Sequence, residues 1–153
     1  MYLTELANAL IRKRQTLATV ESCTGGGIAA KCTDLAGSSE WFIGGVITYS
    51  NAMKIQLGVS QIDIESSGAV SRTVVEQMAS KGLEYCQSDW CIAVSGVAGP
   101  GGGSMEKPVG TVWLAWAGPN LLRSESAFFS GDRVQVRQQT VDYSLVKLIE
   151  LLK

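Results

Sequence analysis

The sequence predicts an α/β fold built around a mixed, mostly parallel sheet. Short apolar runs rich in β-branched residues alternate with segments whose apolar residues recur at helical spacing, and this alternation favours parallel strands joined by helices. Late in the chain, two strand-like runs flank Gly118-Pro119-Asn120, which predicts an antiparallel hairpin in the same sheet. The length of 153 residues and the hydrophobic content of 46% fit a single domain over residues 1–153.

Local patterns place each element in turn. Leu3, Leu6 and Leu10 share one face of an amphipathic helix, and the paired Gly44-Gly45 in the second strand indicates a bulge or a close backbone approach. In order, we expect a helix over about residues 1–14, a strand at Leu17–Glu21, a helix over 25–32, a strand at 41–49, a helix at Asn51–Leu57, a helix over 71–86, a strand at 90–94, a loop over 95–103, strands at 109–117 and 121–129, and a last helix capped by Asp132.

The loops after the first three strands are the expected location of a site. Ligands bind beyond the carboxyl ends of strands in open α/β sheets, because loops from neighbouring strands meet there. The segments 22–27, 50–54 and 95–103 all follow predicted strands. We therefore expect these three loops to converge on one pocket.

Composition excludes several classes of protein and of catalytic site. The chain has no histidine, which rules out a Ser-His-Asp triad and a HExxH zinc site. Thirteen basic and fourteen acidic residues give a net charge of −1 without a basic run, which disfavours a nucleic acid or an anionic membrane as the main partner. No segment has the composition of a signal peptide or a membrane span, so we expect a cytoplasmic protein. The four cysteines lack CxxC spacing and predict neither disulfides nor zinc.

Ser22 is the first candidate for catalysis. It lies where a strand turns into a glycine-led helix, a geometry that exposes a hydroxyl and directs backbone N–H groups toward a ligand or an oxyanion. The alternative is that Ser22 or Thr24 only caps the helix. Three consecutive glycines favour close approach of a ligand or another backbone, because each costs about 1 kcal/mol of helix stability relative to alanine.

Lys54 is the natural partner for such a serine in a chain without histidine. A lysine with a pKa lowered by partial burial can act as a base, and Tyr49 at the end of the same strand can relay or orient the proton. The alternative is a solvated surface Lys54 and a Tyr49 at the edge of the core. The spacing alone leaves both alternatives open.

Two further segments are candidates for substrate binding. The glycine-rich loop over 95–103 offers unhindered N–H groups for a phosphate, a carboxamide or an oxyanion, but it lacks the Lys-Ser or Lys-Thr pair of a Walker motif. Its alternative role is a flexible connection. Arg133 and Arg137 lie four residues apart on one helix face and suit a phosphate, whereas the alternative is a solvated or acid-bridged pair.

Six strings resemble a known family in order and spacing: ESCTGG at 21–26, GGVITYSNAMK at 44–54, GAVS at 68–71, SGVAGPGGGS at 95–104, KPVGTV at 107–112 and GDR at 131–133. Together they closely resemble the CinA carboxy-terminal domain family, the stand-alone nicotinamide-nucleotide amidases. The resemblance implies a three-layer α/β/α sandwich with a mixed sheet. It also implies hydrolysis of nicotinamide mononucleotide to nicotinate mononucleotide and ammonia, without a metal or a cofactor.

The same resemblance assigns roles to individual residues. Ser22 corresponds to the nucleophile, Lys54 to the base and Tyr49 to its helper. The expected substrate-binding residues are Thr24, Gly25, Gly26, Asn51, Ser95, Gly96, Ala98, Gly99, Arg133 and Arg137. The sequence departs from many relatives at Gly101, where they carry Asp, and at Ser95, where they carry Thr. We also expect no additional N-terminal domain of the kind that the longer members carry.

The expected partners and two alternative functions complete the prediction. The resemblance implies a small pyridine nucleotide as the partner, and we expect the chain to form a homo-oligomer. The rival from another class is a non-catalytic nucleotide-binding or regulatory domain with the same pocket. A further alternative is a cysteine hydrolase using Cys23. Because the chain has no histidine, the helix N-terminus alone would have to generate the thiolate.

Overall fold

The computed structural model describes residues 2–153, with five strands and six α-helices. The elements are α1 (Tyr2–Lys13), β1 (Leu17–Glu21), α2 (Gly27–Cys32), a 3-10 turn (Ser38–Glu40), β2 (Phe42–Ile47), α3 (Asn51–Leu57), α4 (Gln61–Ser67), α5 (Arg72–Cys86), β3 (Trp90–Gly96), β4 (Thr111–Gly118), β5 (Leu121–Phe128) and α6 (Arg133–Leu151). None of the helices within this range combines the length and apolar content needed to cross a membrane.

The five strands form one sheet in the order β2-β1-β3-β4-β5. Strand β1 pairs in parallel with β2 and β3, whereas β4 is antiparallel to both of its neighbours. Among the strands of residues 2–153, β4 is therefore the one that runs against the other four. This arrangement confirms the mixed, mostly parallel sheet and the late antiparallel hairpin.

Helices cover both faces of the sheet, which confirms the three-layer α/β/α sandwich. On one face α1, α2 and α6 enclose a core that includes Leu10, Trp116 and Leu148. On the other face α5 packs across the central strands, with α3 and α4 against it, and this second core includes Val20 and Met78. Alternate residues of β1 enter different cores, as the pleat of a strand requires.

Strand β2 contains the irregularity that the paired glycines predict. Leu17 pairs with Phe42 but the next residue, Ala18, pairs with Gly44, so Ile43 is an extra residue without a partner on β1. A β-carbon on Gly45 would overlap the Thr19 hydroxyl on the neighbouring strand. The bulge and the close backbone approach are thus both present.

Helix α4 is an element that the sequence analysis missed. Its N-terminal cap is Ser60, whose hydroxyl accepts a hydrogen bond from Asp63 N at 3.3 Å. The Ser-x-x-Asp spacing of Ser60 and Asp63 is typical of a helix N-terminus and could have predicted the start of α4. The helix is short and its only buried residue is Ile64, so the apolar periodicity that reveals longer helices is absent.

Candidate active site

The three predicted loops meet at the carboxyl edge of the sheet, because β1, β2 and β3 are adjacent and parallel. Between them lies a cleft of about 240 Å³. Its lining is formed by Ser22, Cys23, Tyr49, Asn51, Lys54, Ala69, Val70, Ser95, Gly96, Ala98 and Arg133. The convergence that was expected because each loop follows a predicted strand is confirmed.

Ser22 and Lys54 are in direct contact within this cleft. Lys54 Nζ lies 3.0 Å from Ser22 Oγ, and the Ser22 N–H donates to Val94 O at 3.1 Å, which fixes the serine to the end of β3. The Lys54 side chain is only 1% exposed, and burial lowers its pKa below the ordinary 10.5, opposed by a smaller effect of Cys23. None of the ion pairs within residues 2–153 includes Lys54.

The remaining contacts of the Lys54 amine are with backbone carbonyls. Nζ donates to Thr48 O at 2.8 Å and to Tyr49 O at 3.2 Å. A carbonyl oxygen can only accept, and a neutral amine has two N–H donors and one lone pair. Two carbonyls and the Ser22 hydroxyl therefore occupy the three hydrogen-bonding positions of the amine. In the neutral form the two N–H donors suffice for the two carbonyls, and the lone pair is left for the Ser22 hydroxyl.

Helix α3 delivers the lysine from a well-defined start. Its cap is Ser50, whose hydroxyl accepts a hydrogen bond from Met53 N at 3.1 Å. Lys54 follows in the next turn, and its own carbonyl accepts from Val59 N at 3.0 Å. The segment between β2 and α3 carries both carbonyl partners, and α3 brings the Lys54 amine back to them.

The turn that carries Ser22 is held by a residue that the sequence analysis missed. The Glu21 carboxylate is 1% exposed; its Oε1 accepts from Thr24 Oγ1 at 2.6 Å and Ile28 N at 2.7 Å. Its Oε2 accepts from Ala29 N at 2.9 Å and from Thr19 Oγ1 at 3.2 Å. The first free N–H groups of α2 are therefore occupied by the protein's own carboxylate.

This arrangement corrects both interpretations of the helix start. The residue before α2 is Gly26, in a left-handed conformation with φ of 98° and without a side-chain cap, so neither Ser22 nor Thr24 caps the helix. The N–H groups of Ile28 and Ala29 bind Glu21 and are not directed at a ligand. An acidic residue just before a turn into a helix was the available signal.

The two arginines of α6 contact different loops. Arg133 Nη1 donates to Gly99 O at 2.7 Å and Nη2 to Tyr49 Oη at 3.1 Å, so it joins two loops at the cleft mouth. Arg137 Nε donates to Cys23 O at 3.0 Å and Nη2 to Thr24 O at 3.1 Å. Arg137 lies outside the cleft and supports the Ser22 turn from the α6 side.

Most of the expected site residues meet in the cleft. Ser22, Lys54, Tyr49, Asn51, Ser95, Gly96, Ala98 and Arg133 line it, whereas Thr24, Gly25, Gly26, Gly99 and Arg137 do not. The Tyr49 side chain is 58% exposed, and it is the Tyr49 carbonyl that contacts the Lys54 amine. The sequence analysis did not select Cys23, Ala69 and Val70 as lining residues. Ala69 and Val70 belong to the GAVS string, which was the signal available.

The Cys23 thiol has the wrong acidity for a nucleophile. Burial raises the pKa of Cys23 to about 11, and the nearby charges and hydrogen bond only partly offset this effect. A thiolate is needed for attack, so this thiol is nearly all protonated at neutral pH. These properties disfavour a cysteine hydrolase.

Comparisons with known proteins agree with the fold and with the sequence motifs. The family model described as the CinA C-terminal domain matches residues 2–152. The chain is 50% identical to the nicotinamide-nucleotide amidohydrolase PncC of Pseudomonas putida over 97% of this chain and 93% of that protein, and 48% identical to PncC of Escherichia coli K12 over 94% and 88%. The crystal structure of competence damage-inducible protein A (ComA) from Klebsiella pneumoniae superimposes with a TM-score of 0.95 at 38% identity, over 99% of this chain and 94% of that one. The chain belongs to the CinA C-terminal domain family.

Proposed function

We propose that this chain is an amidase that hydrolyses the carboxamide of nicotinamide mononucleotide, with Ser22 as nucleophile and Lys54 as base. The observation that carries the proposal is the 3.0 Å contact between Lys54 Nζ and Ser22 Oγ in a buried environment that lowers the lysine pKa. The substrate is inferred from relatives that are 50% and 48% identical and are named nicotinamide-nucleotide amidohydrolases.

In the first half of the reaction, Ser22 Oγ attacks the carboxamide carbon while neutral Lys54 accepts the hydroxyl proton. A bond forms between Oγ and the carbon, and the carbonyl electron pair moves to oxygen. The resulting Lys54 ammonium then donates a proton to the amide nitrogen as the C–N bond breaks. Ammonia leaves, and the nicotinoyl group remains bound to Ser22 as an ester.

The Ser22 turn supplies candidate donors for the oxyanion. No backbone carbonyl within residues 2–153 accepts a hydrogen bond from the N–H of Cys23 or Thr24. Arg137 holds the Cys23 carbonyl, and a trans peptide points its N–H opposite to its C=O, so the Thr24 N–H points away from Arg137. Backbone donors fixed in this way stabilise a developing negative charge without reorganising during the reaction.

In the second half, water replaces ammonia. Lys54, neutral again after protonating the leaving nitrogen, accepts a proton from water as the water oxygen attacks the ester carbon. The bond to Ser22 Oγ then breaks, and Lys54 returns the proton to the serine oxygen. The products are nicotinate mononucleotide and the regenerated enzyme, so one lysine serves both halves.

Ammonia release from nicotinamide mononucleotide by the wild-type chain tests the proposal directly. We expect ammonia and nicotinate mononucleotide to appear in equal amounts. The rival, a binding domain without turnover, predicts that the nucleotide raises the melting temperature while no ammonia forms. Measuring both quantities on one preparation separates the two functions, and stabilisation without product would contradict the amidase.

Arg133 is expected to contribute to nucleotide binding more than to the chemical step. Arg133 lines the cleft, and two of its five N–H donors bind Gly99 O and Tyr49 Oη, which leaves three donors available to a phosphate. Losing one charged hydrogen bond costs about 2 kcal/mol, so Arg133→Gln is expected to raise KM about 30-fold, with a smaller change in kcat.

Arg123→Gln is the matched control, because that exposed arginine of β5 pairs with Glu125 far from the cleft. Nicotinamide riboside, which lacks the phosphate, provides a second comparison. The penalty of Arg133→Gln should be much smaller with the riboside. An equal penalty with both substrates would show that Arg133 does not bind the phosphate.

A further inference from the structure

We propose that Glu21 is a positioning residue that holds the Ser22-Cys23-Thr24 turn in the geometry needed for attack, an inference that rests on the proposed role of Ser22. Glu21 immediately precedes the nucleophile, and its carboxylate contacts elements on both sides of the turn. It does not line the cleft, so its effect reaches the reacting atoms through the backbone of Ser22.

The contacts of Glu21 close the turn on itself. Thr24 Oγ1 donates to Glu21 Oε1 at 2.6 Å, so the residues at the two ends of the turn are tied side chain to side chain. Directly after Thr24, the Gly25 N–H donates to Ser22 O at 3.1 Å. The position of the Ser22 backbone is thereby fixed by bonds that begin and end within five residues.

The same carboxylate ties the turn to the structure around it. Ile28 N and Ala29 N at the start of α2 donate to its two oxygens at 2.7 and 2.9 Å. Thr19 Oγ1, on β1, donates to Oε2 at 3.2 Å. The turn therefore cannot shift relative to β1 or α2 without breaking a charge-assisted hydrogen bond.

Burial makes these bonds obligatory. Glu21 is 1% exposed, and none of the ion pairs within residues 2–153 includes it. A buried carboxylate without a cation depends on hydrogen-bond donors, and a donor lost is not replaced by water at such a position. From the other side, the Arg137 guanidinium donates to the carbonyls of Cys23 and Thr24, so the turn is held between the Glu21 carboxylate and the Arg137 side chain.

The test variant is Glu21→Gln, which keeps the shape of the side chain but replaces one acceptor oxygen with a donor NH2 group. That group cannot accept from both of its former donors, so the turn must move. A displacement of about 1 Å at a reacting group can cost about 100-fold in rate. We expect kcat for ammonia release to fall by about that factor, with KM changed less than about twofold and the pH midpoint of kcat unchanged.

Asp89→Asn is the matched control. The Asp89 carboxylate also accepts from a backbone N–H and a threonine hydroxyl, those of Thr16, but it lies at the opposite end of β1. We expect this variant to lower the melting temperature without lowering kcat at temperatures where the protein is folded.

The pair Thr24→Val and Thr24→Ser tests the same hydrogen bond if Glu21→Gln does not fold. Valine has no hydroxyl to donate to Glu21, so kcat should fall. Serine retains the hydroxyl, so Thr24→Ser should recover most of the rate.

A substrate-independent measurement separates this inference from the proposed function. With a fluorophosphonate, Ser22 Oγ bonds to phosphorus, fluoride leaves, and the Ser22 proton passes to Lys54. Labelling should be about as strongly slowed in Glu21→Gln as kcat is. Wild type that labels but releases no ammonia would contradict the substrate and not the role of Glu21. Glu21→Gln with wild-type labelling rate and kcat would overturn the inference.

Discussion

Replacing Ser22 with alanine is expected to reduce ammonia release from nicotinamide mononucleotide by about 10⁴-fold or more, because the covalent step loses its nucleophile. Ser22 is 7% exposed, and its hydroxyl lies 3.0 Å from Lys54 Nζ and 3.5 Å from Tyr49 O, so the substitution removes a single oxygen from a preformed cleft. Folding and nucleotide binding should be retained. The measurement is kcat by ammonia release, together with the nucleotide-induced shift in melting temperature.

Ser88→Ala is the matched control for this prediction. Ser88 donates to Trp90 O at the start of β3, at the end of the sheet opposite the cleft, and its loss should leave kcat unchanged. Cys23→Ser tests the neighbouring thiol and should retain activity. Full activity in Ser22→Ala would contradict Ser22 as the nucleophile. If Cys23→Ser were also inactive, the result would point to Cys23 instead.

Replacing Lys54 with methionine is expected to lower kcat by about 10³-fold, since a positioned general base contributes roughly 10²- to 10⁴-fold. Methionine matches the length and the apolar stem of lysine but cannot accept the Ser22 proton. Lys81→Met is the control, because Lys81 lies on the exposed side of α5. If Lys54→Met kept wild-type kcat, another group would have to act as the base.

The lysine also sets the pH dependence of the wild type. The neutral amine is the active form, so kcat should rise with pH through the pKa of Lys54, which burial lowers below 10.5. The kcat profile of Lys54→Met should lack this rise. A wild-type kcat that falls over the same range would exclude Lys54 as the base.

The same titration affects stability in a predictable direction. Below its lowered pKa, Lys54 is protonated in both the folded and the unfolded chain. Between that pKa and 10.5 the unfolded chain binds more protons than the folded one, so the free energy of unfolding rises with pH. The difference in unfolding free energy, wild type minus Lys54→Met, should therefore increase as pH rises toward 10.5. Denaturant titrations at several pH values measure this difference.

Sequence reasoning selected Ser22 and Lys54 as candidates from chemistry and chain order, and the structure places them in contact. The absence of histidine directed attention to Lys54, and the strand order placed it near Ser22 at the carboxyl edge of the sheet. The α/β class with a mostly parallel sheet followed from the alternation of elements, and the three layers followed from the resemblance. The expected Asp132 cap placed the start of α6 correctly, and the helix expected at Asn51–Leu57 has the bounds of α3.

The partners of individual side chains could not be predicted in the same way. The contact of Arg137 with Cys23 O joins residues 114 positions apart, and no local pattern distinguishes it from the phosphate contact expected of an arginine near a pocket. Glu21 was overlooked although its hydrogen-bond partners lie at most eight positions away, because the spacing alone does not show that the turn folds back over its carboxylate. The contacts of Arg137, in contrast, depend on residues that are distant in the sequence.

The unpaired Ile43 in β2 determines where the chain tolerates a change in length. Upstream of it, Trp41 is buried in the core and its carbonyl accepts from Leu17 N; downstream, from Gly44 onward, pairing with β1 fixes which side of the strand each residue occupies. Losing one residue at Ile43 would remove the bulge and preserve that downstream pairing. Deleting one residue between Gly44 and Thr48 would move the residues at the end of β2 to the opposite face of the sheet. The Thr48 carbonyl, which accepts a hydrogen bond from the Lys54 amine, would then point away from it.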